Sequence, residues 1–366
     1  MELPFPFSLP LTSLTYEFLY LVTFVTHHFA MHYVVAGCLL ILGASLWYRA
    51  DEASLMANPV IRALRDWMPF GLSAAITFGV APLLFVQLLF PKHFYTANLL
   101  LGLRWMVVIP ALIAAFYLLY VLKSHWFERL RWWQRALVAG LNAGLFVFIG
   151  FCWTANYLVA TQPEAWPETF ASGILPIATL KVISRGAVWM SVAFVTMASL
   201  VVAQLAYLRE GTATNDDLPT VSWLRWLALS GLGVFALAAL GAIGFSTSGF
   251  AAITNGSGFL WVGLGIALWG GLIYSWISDA STTSKAWTLP RLGLVVGLLF
   301  CATVVRELVR VATIDYPALF AKHDAVGKVE GFYLFLITAV IVIGLIAVSV
   351  RWVYQSFDVD APESET

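Results

Sequence analysis

The segment "FVTHHFAMHYVVAG", residues 24–37, carries three of the chain's six histidines, His27, His28 and His32, inside a long apolar run. His28 and His32 stand at i and i+4 and share one helix face, whereas His27 points about a quarter turn away. Imidazoles so placed can bind a haem iron through one ring, hold another metal, relay protons, or hydrogen-bond between packed helices. Both cannot be axial ligands of one haem, because ligands on opposite sides of the iron do not come from neighbouring turns. A second cluster lies in "VVRELVR", where Arg306 and Arg310 share a face and Glu307 can pair with Arg310 at i+3. One acid between two bases leaves a net positive face, which suits a haem propionate, a quinone oxygen or a partner's carboxylate.

The elements that carry these residues follow from composition. With 61% hydrophobic and 11% charged residues over 366 positions, the chain is too apolar for a soluble globule. Scanning for about 20 apolar residues, the length that crosses a hydrocarbon core of about 30 Å, finds nine runs. They lie near 14–48, 69–91, 97–122, 133–158, 186–208, 223–246, 257–278, 287–312 and 330–354. Lipid offers backbone groups no partner, so each run must be a helix or part of a closed barrel, and runs without alternation exclude the barrel. The expected fold is an all-α polytopic membrane bundle.

Basic residues orient it. With the N-terminus outside, twelve Lys and Arg fall in cytoplasmic segments and five in outer ones, with Arg104, Arg306 and Arg310 too deep to assign. Nine helices then put the C-terminus inside. The opening "MELPFPFSLP" lacks the basic region of a signal peptide, so the first run is expected to stay as a span. No soluble domain fits between the runs: residues 1–354 form one integral domain and 355–366 an acidic cytoplasmic tail. Cys38, Cys152 and Cys301 sit singly in apolar runs, without CxxCH, which excludes covalent c-type haem. A net formal charge of zero gives no sign of a nucleic-acid partner. His93, His125 and His323 read as loop or interface residues, and "WFERLRWW" as an interfacial aromatic belt.

Counting one span from each inner boundary brings His27, His28, His32, Gln87, Arg104, Arg185, Arg306, Glu307 and Arg310 to a similar depth, as one polar layer in the outer leaflet. Arg185 alone is read as snorkelling to outer phosphates. The layer as a whole is costly unless it is used, since ionisable groups within spans need partners or water.

The first run, "TYEFLYLVTFVTHHFAMHYVVAGCLLILGASLW", resembles the first helix of cytochrome bd oxidase subunit I, with His28-Phe29 at the family's His-Phe pair. "ITFGVAPLLFVQLLFPKHFYTANLLLG" is loosely similar to the family helix that opens on a Gly-Val pair. The resemblance implies b-type haem with His28 on the iron, exchange of electrons with quinol, and a second integral subunit. Departures are equally specific. "TLKVISRGAVWMSVAF" has Ser184 and Arg185 where the family has a second haem-ligating histidine, and Gln87 stands where an acidic residue is linked to proton delivery. "STSGFAAITNGSGF" is too short for the family's outer quinol-binding loop. The expectation is a derived relative that does not reduce oxygen with a full haem set.

Three functions are therefore carried forward. One is a redox subunit of the bacterial cytoplasmic membrane that exchanges electrons between quinol and a periplasmic c-type cytochrome or redox enzyme. Another is a haem-free anchor that docks such a partner through its arginine layer. The third is a transporter with an outer anion site, disfavoured because no paired helix interruptions mark a central site.

Overall fold

The computed structural model describes residues 11–49, 52–173, 180–207, 218–244, 247–254, 256–279, 284–314, 320–321 and 337–352, the last without 343, 346 and 350. Every element among them is helical: α1 (Ser13–Trp47), α2 (Glu52–Ala57), α3 (Pro59–Leu89), α4 (Pro91–Leu101), α5 (Leu103–Met106), α6 (Val108–Lys123) and α7 (His125–Glu128). There follow α8 (Trp132–Ala160), a 3-10 turn (Pro163–Ala165), α9 (Trp166–Ser172), α10 (Leu180–Tyr207), α11 (Leu218–Gly244), α12 (Thr247–Thr254), α13 (Ser257–Ser278) and α14 (Lys285–Thr313). The chain is an all-α polytopic membrane bundle.

Eight helical segments among the described residues are long and apolar enough to cross a bilayer, and they match the first eight expected runs. The ninth, 330–354, falls partly outside the described residues; its described part includes a shorter apolar stretch, Ile337–Ser349. His323, Lys322, Lys328, most of the polar segment 209–220 and the acidic tail also lie outside them.

The chain divides into two units, one of 17–315 and the other of 1–16 with 316–366. Within the first, half or more of the apolar window of α1 and of α10 is buried, against 17% for α11 and α13, so α1 and α10 form its interior. Val34, Cys38 and Ile41 of α1 join Val195, Met197 and Val201 of α10 in one apolar core with Leu64 and Met68 of α3 and Leu298 of α14. Small residues set the closest approaches. A Cβ on Gly231 of α11 would stand 2.9 Å from the Ser191 carbonyl oxygen of α10, so backbone meets backbone there.

The run expected over 97–122 is interrupted at Gly102, whose φ of 54° is a left-handed value that favours glycine. Its first part belongs to α4, which at 11 residues is too short to span and packs against α8. The spanning part is Leu103–Lys123.

At the end of the bundle formed by α7 and the start of α8, buried arginines close helix C-termini. Arg65 donates to the carbonyls of Leu122, Lys123 and Ser124, where α6 ends, and pairs with Glu128 at 3.0 Å. Arg135 donates to the carbonyls of Phe127 and Glu128. Arg291 donates to the Ser275 carbonyl and pairs with Asp279 at 3.1 Å beyond the end of α13. Guanidinium donors thus meet helix-end carbonyls at the negative ends of helix dipoles.

Candidate functional site

The three histidines of α1 face three different settings. His27 Nδ1 donates to the Ala75 carbonyl of α3 at 2.7 Å. Room for that ring exists because position 79 is glycine: a Cβ there would lie 2.8 Å from His27 Nδ1. His28 Nδ1 donates to the Phe24 carbonyl at 3.0 Å, and its ring lies between Phe24 and Trp189, with centroids at 3.9 and 4.8 Å. His32 Nδ1 is 3.3 Å from Thr196 Oγ1 of α10.

Hydrogen-bond chemistry assigns the protons. A carbonyl only accepts, so His27 and His28 each carry their proton on Nδ1. The Thr196 hydroxyl is committed to the Val192 carbonyl at 2.9 Å, so it accepts from His32, which is likewise protonated on Nδ1. In the neutral rings each Nε2 then bears a lone pair. His32 is 1% exposed and its Nε2 meets no hydrogen-bond partner. A buried acceptor left bare costs about 1–3 kcal/mol.

The second cluster adjoins the first through Phe24. The Arg306 guanidinium stands 4.6 Å from the Phe24 ring and His28 is on the same ring. Arg306 Nη1 donates to Glu307 Oε1 at 2.6 Å and to the Tyr20 hydroxyl at 2.8 Å. Arg310 Nε pairs with Glu307 Oε2 at 3.3 Å. Arg306 (4.3 Å), Arg185 of α10 (4.8 Å) and Arg310 (4.9 Å) all lie against the Tyr157 ring of α8, whose hydroxyl donates to the Arg306 carbonyl. Two of these guanidiniums, Arg306 and Arg310, share the Glu307 carboxylate, Arg185 lies against the Tyr157 ring, and Arg310 Nη1, in a residue 5% exposed, has no partner.

Other residues of the expected polar layer stand apart. Gln87 accepts from the Tyr95 hydroxyl at 3.3 Å, and Arg104 is exposed. His93, on α4, has its ring 5.6 Å from Trp166; burial, with the charges of Lys92 and Arg310, holds it below the usual histidine pKa. Among the described residues, no three His, Cys, Asp or Glu side chains group as a metal site.

Sequence reasoning did not single out Tyr20, Phe24, Tyr157, Trp189 or Thr196, though these hold the histidines and arginines in place. Aromatic and hydroxyl residues are common in spans, and only the packing of α1, α8, α10 and α14 distinguishes these five. No protein-family model and no curated protein matches the chain.

Proposed function

We propose that the chain is the membrane subunit of a quinol-linked electron-transfer complex of the bacterial cytoplasmic membrane and holds b-type haem near His28 and His32. The buried, unpartnered Nε2 of His32 carries the reading, since a bare imidazole lone pair inside a membrane bundle is a ligand in want of a metal or a proton donor. The donor set fits the group: His28 or His32 offers a neutral Nε2, and the nearby arginines complement propionate charge. The resemblance of the first run to cytochrome bd oxidase subunit I points the same way.

Haem supplies one-electron chemistry when bound. The chain's own residues orient and insulate. Phe24 and Trp189 flank the His28 ring, and the Phe24 carbonyl keeps its proton on Nδ1. Thr196 does the same for His32. Arg306, which also lies on the Phe24 ring, and its partner Glu307 set the local charge. In this reading a second integral subunit and a periplasmic c-type cytochrome or redox enzyme complete the path between quinol and acceptor.

A reduced-minus-oxidised spectrum with a pyridine haemochrome assay tests the proposal on the purified chain and on His28→Ala and His32→Ala. A b-type signal lost in one variant identifies the ligand. Absence of haem from the intact complex sinks the reading and leaves a haem-free anchor that docks its partner through the arginines.

A further inference from the structure

Arginines at the two ends of the bundle are satisfied in different ways. Arg65, Arg135 and Arg291 donate to helix carbonyls. Among the described residues, Arg185, Arg306 and Arg310 donate to none; Arg306 and Arg310 share Glu307, Arg306 also donates to the Tyr20 hydroxyl, and all three lie on the Tyr157 ring. Three guanidiniums thus stand beside one carboxylate among the described residues, and Arg310 Nη1 is buried without a partner. Burial without an anion is costly for a guanidinium, whose planar fork matches phosphate and carboxylate oxygens.

Depth selects the anion. Arg310 is within one turn of the end of α14, Tyr157 within one turn of the end of α8, and Arg185 less than two turns from the start of α10. Three helix ends thus place the cluster at the edge of the spans, where lipid headgroups lie. Arg306 is 16% exposed and Arg185 is half-buried, so part of the cluster reaches the surface, while Arg310 beside them is buried. An anionic phospholipid brings a phosphate oxyanion to this depth without crossing hydrocarbon, and its negative charge is the kind such sites recognise.

We infer that Arg310, with Arg306 and Arg185 around Tyr157, binds the phosphate oxyanion of an anionic phospholipid headgroup. The site does not depend on the haem reading, because the unpartnered Arg310 Nη1 and the three guanidiniums around Tyr157 are contacts among the described residues alone.

The test uses the full chain purified in a non-ionic detergent. Retained lipid is read by native mass spectrometry, and the thermal midpoint is read with added phosphatidylglycerol, phosphatidylcholine or inorganic phosphate. Phosphatidylglycerol is expected to stay bound and to raise the midpoint more than phosphatidylcholine does. Arg310→Gln is expected to weaken its retention about tenfold, in line with loss of a hydrogen bond to a charged group, while Arg62→Gln, an exposed arginine on α3, leaves it unchanged. If Arg310→Gln does not fold, Arg185→Gln is read in the same way. Stabilisation by inorganic phosphate with no lipid retained would assign the site to a free anion and overturn the lipid source. Equal retention of both lipids, or no effect of either arginine, would overturn the site. Loss of haem in Arg310→Gln with lipid content unchanged would hand the arginines to a propionate, whereas lipid binding without haem would sink only the proposed redox function.

Discussion

His32 Nδ1 stands 3.3 Å from Thr196 Oγ1, and the threonine hydroxyl is itself donated to the Val192 carbonyl. α10 therefore fixes the tautomer of an imidazole on α1, and the unpartnered Nε2 follows from that contact. Thr196→Val keeps the volume near constant and removes the acceptor, leaving a buried N–H bare. The expected loss is about 1–3 kcal/mol of stability, measured by chemical denaturation in detergent. Thr196→Ser retains the oxygen and is expected to recover most of it.

Gly79 and His27 form a packing pair across α1 and α3. Gly79→Ala would place Cβ 2.8 Å from Nδ1 and 2.9 Å from Cε1 of the ring, forcing the imidazole off the Ala75 carbonyl. Overpacking of this kind costs about 1–3 kcal/mol. The same substitution in a His27→Ala background is expected to cost much less, and a double-mutant cycle on thermal midpoints measures the coupling.

Gly231 presents a harder limit, because its neighbour is the Ser191 carbonyl oxygen at 2.9 Å and backbone cannot rotate away. Gly231→Ala is expected to destabilise more than Gly79→Ala and to open α10 from α11. Gly233, two residues on, meets nothing within 4 Å. Gly233→Ala is expected to be neutral or to stabilise by up to about 1 kcal/mol through helix propensity. Midpoints that rank the two alanines in reverse would contradict the α10–α11 contact.

Glu128, outside the spanning segments, receives His125 at 3.1 Å and Arg65 at 3.0 Å, and these two partners hold its carboxyl below the ordinary carboxylate pKa. A depressed acid stabilises above its unfolded pKa, and the contribution fades as pH falls through the folded value. The native midpoint is therefore expected to fall between pH 5 and pH 3, about the carboxylate range, by more than that of Glu128→Gln. Equal falls in the two proteins would show that the pair has no weight.

Much of the fold was legible in the residues. Eight runs became spanning helices, because a stretch such as Ser257–Ser278 has no other way to satisfy its backbone in lipid. Glu307 and Arg310, three residues apart on α14, meet at 3.3 Å as helical spacing requires. The break at Gly102 was less visible. Residues 97–122 are apolar but for Asn98 and Arg104, and the left-handed glycine and the docking of α4 on α8 divide them. The polar layer was legible in kind but not in membership: Arg306, Arg310 and Arg185 meet around Tyr157 with Glu307 paired to the first two, while Arg104 is exposed and Gln87 pairs with Tyr95.

Sequence by itself determined the solvent, the helices and the i, i+4 faces that His28, His32, Arg306 and Arg310 occupy, since hydrophobicity and helical periodicity are properties of neighbouring residues. Tertiary structure decided that His27 turns to Ala75, that Thr196 holds the His32 proton, and that Tyr157 gathers three guanidiniums, two of them paired with Glu307. Those contacts join residues 48 to 164 positions apart in the case of the histidines. Which side chains meet over such separations depends on how helices pack, and local periodicity does not encode it.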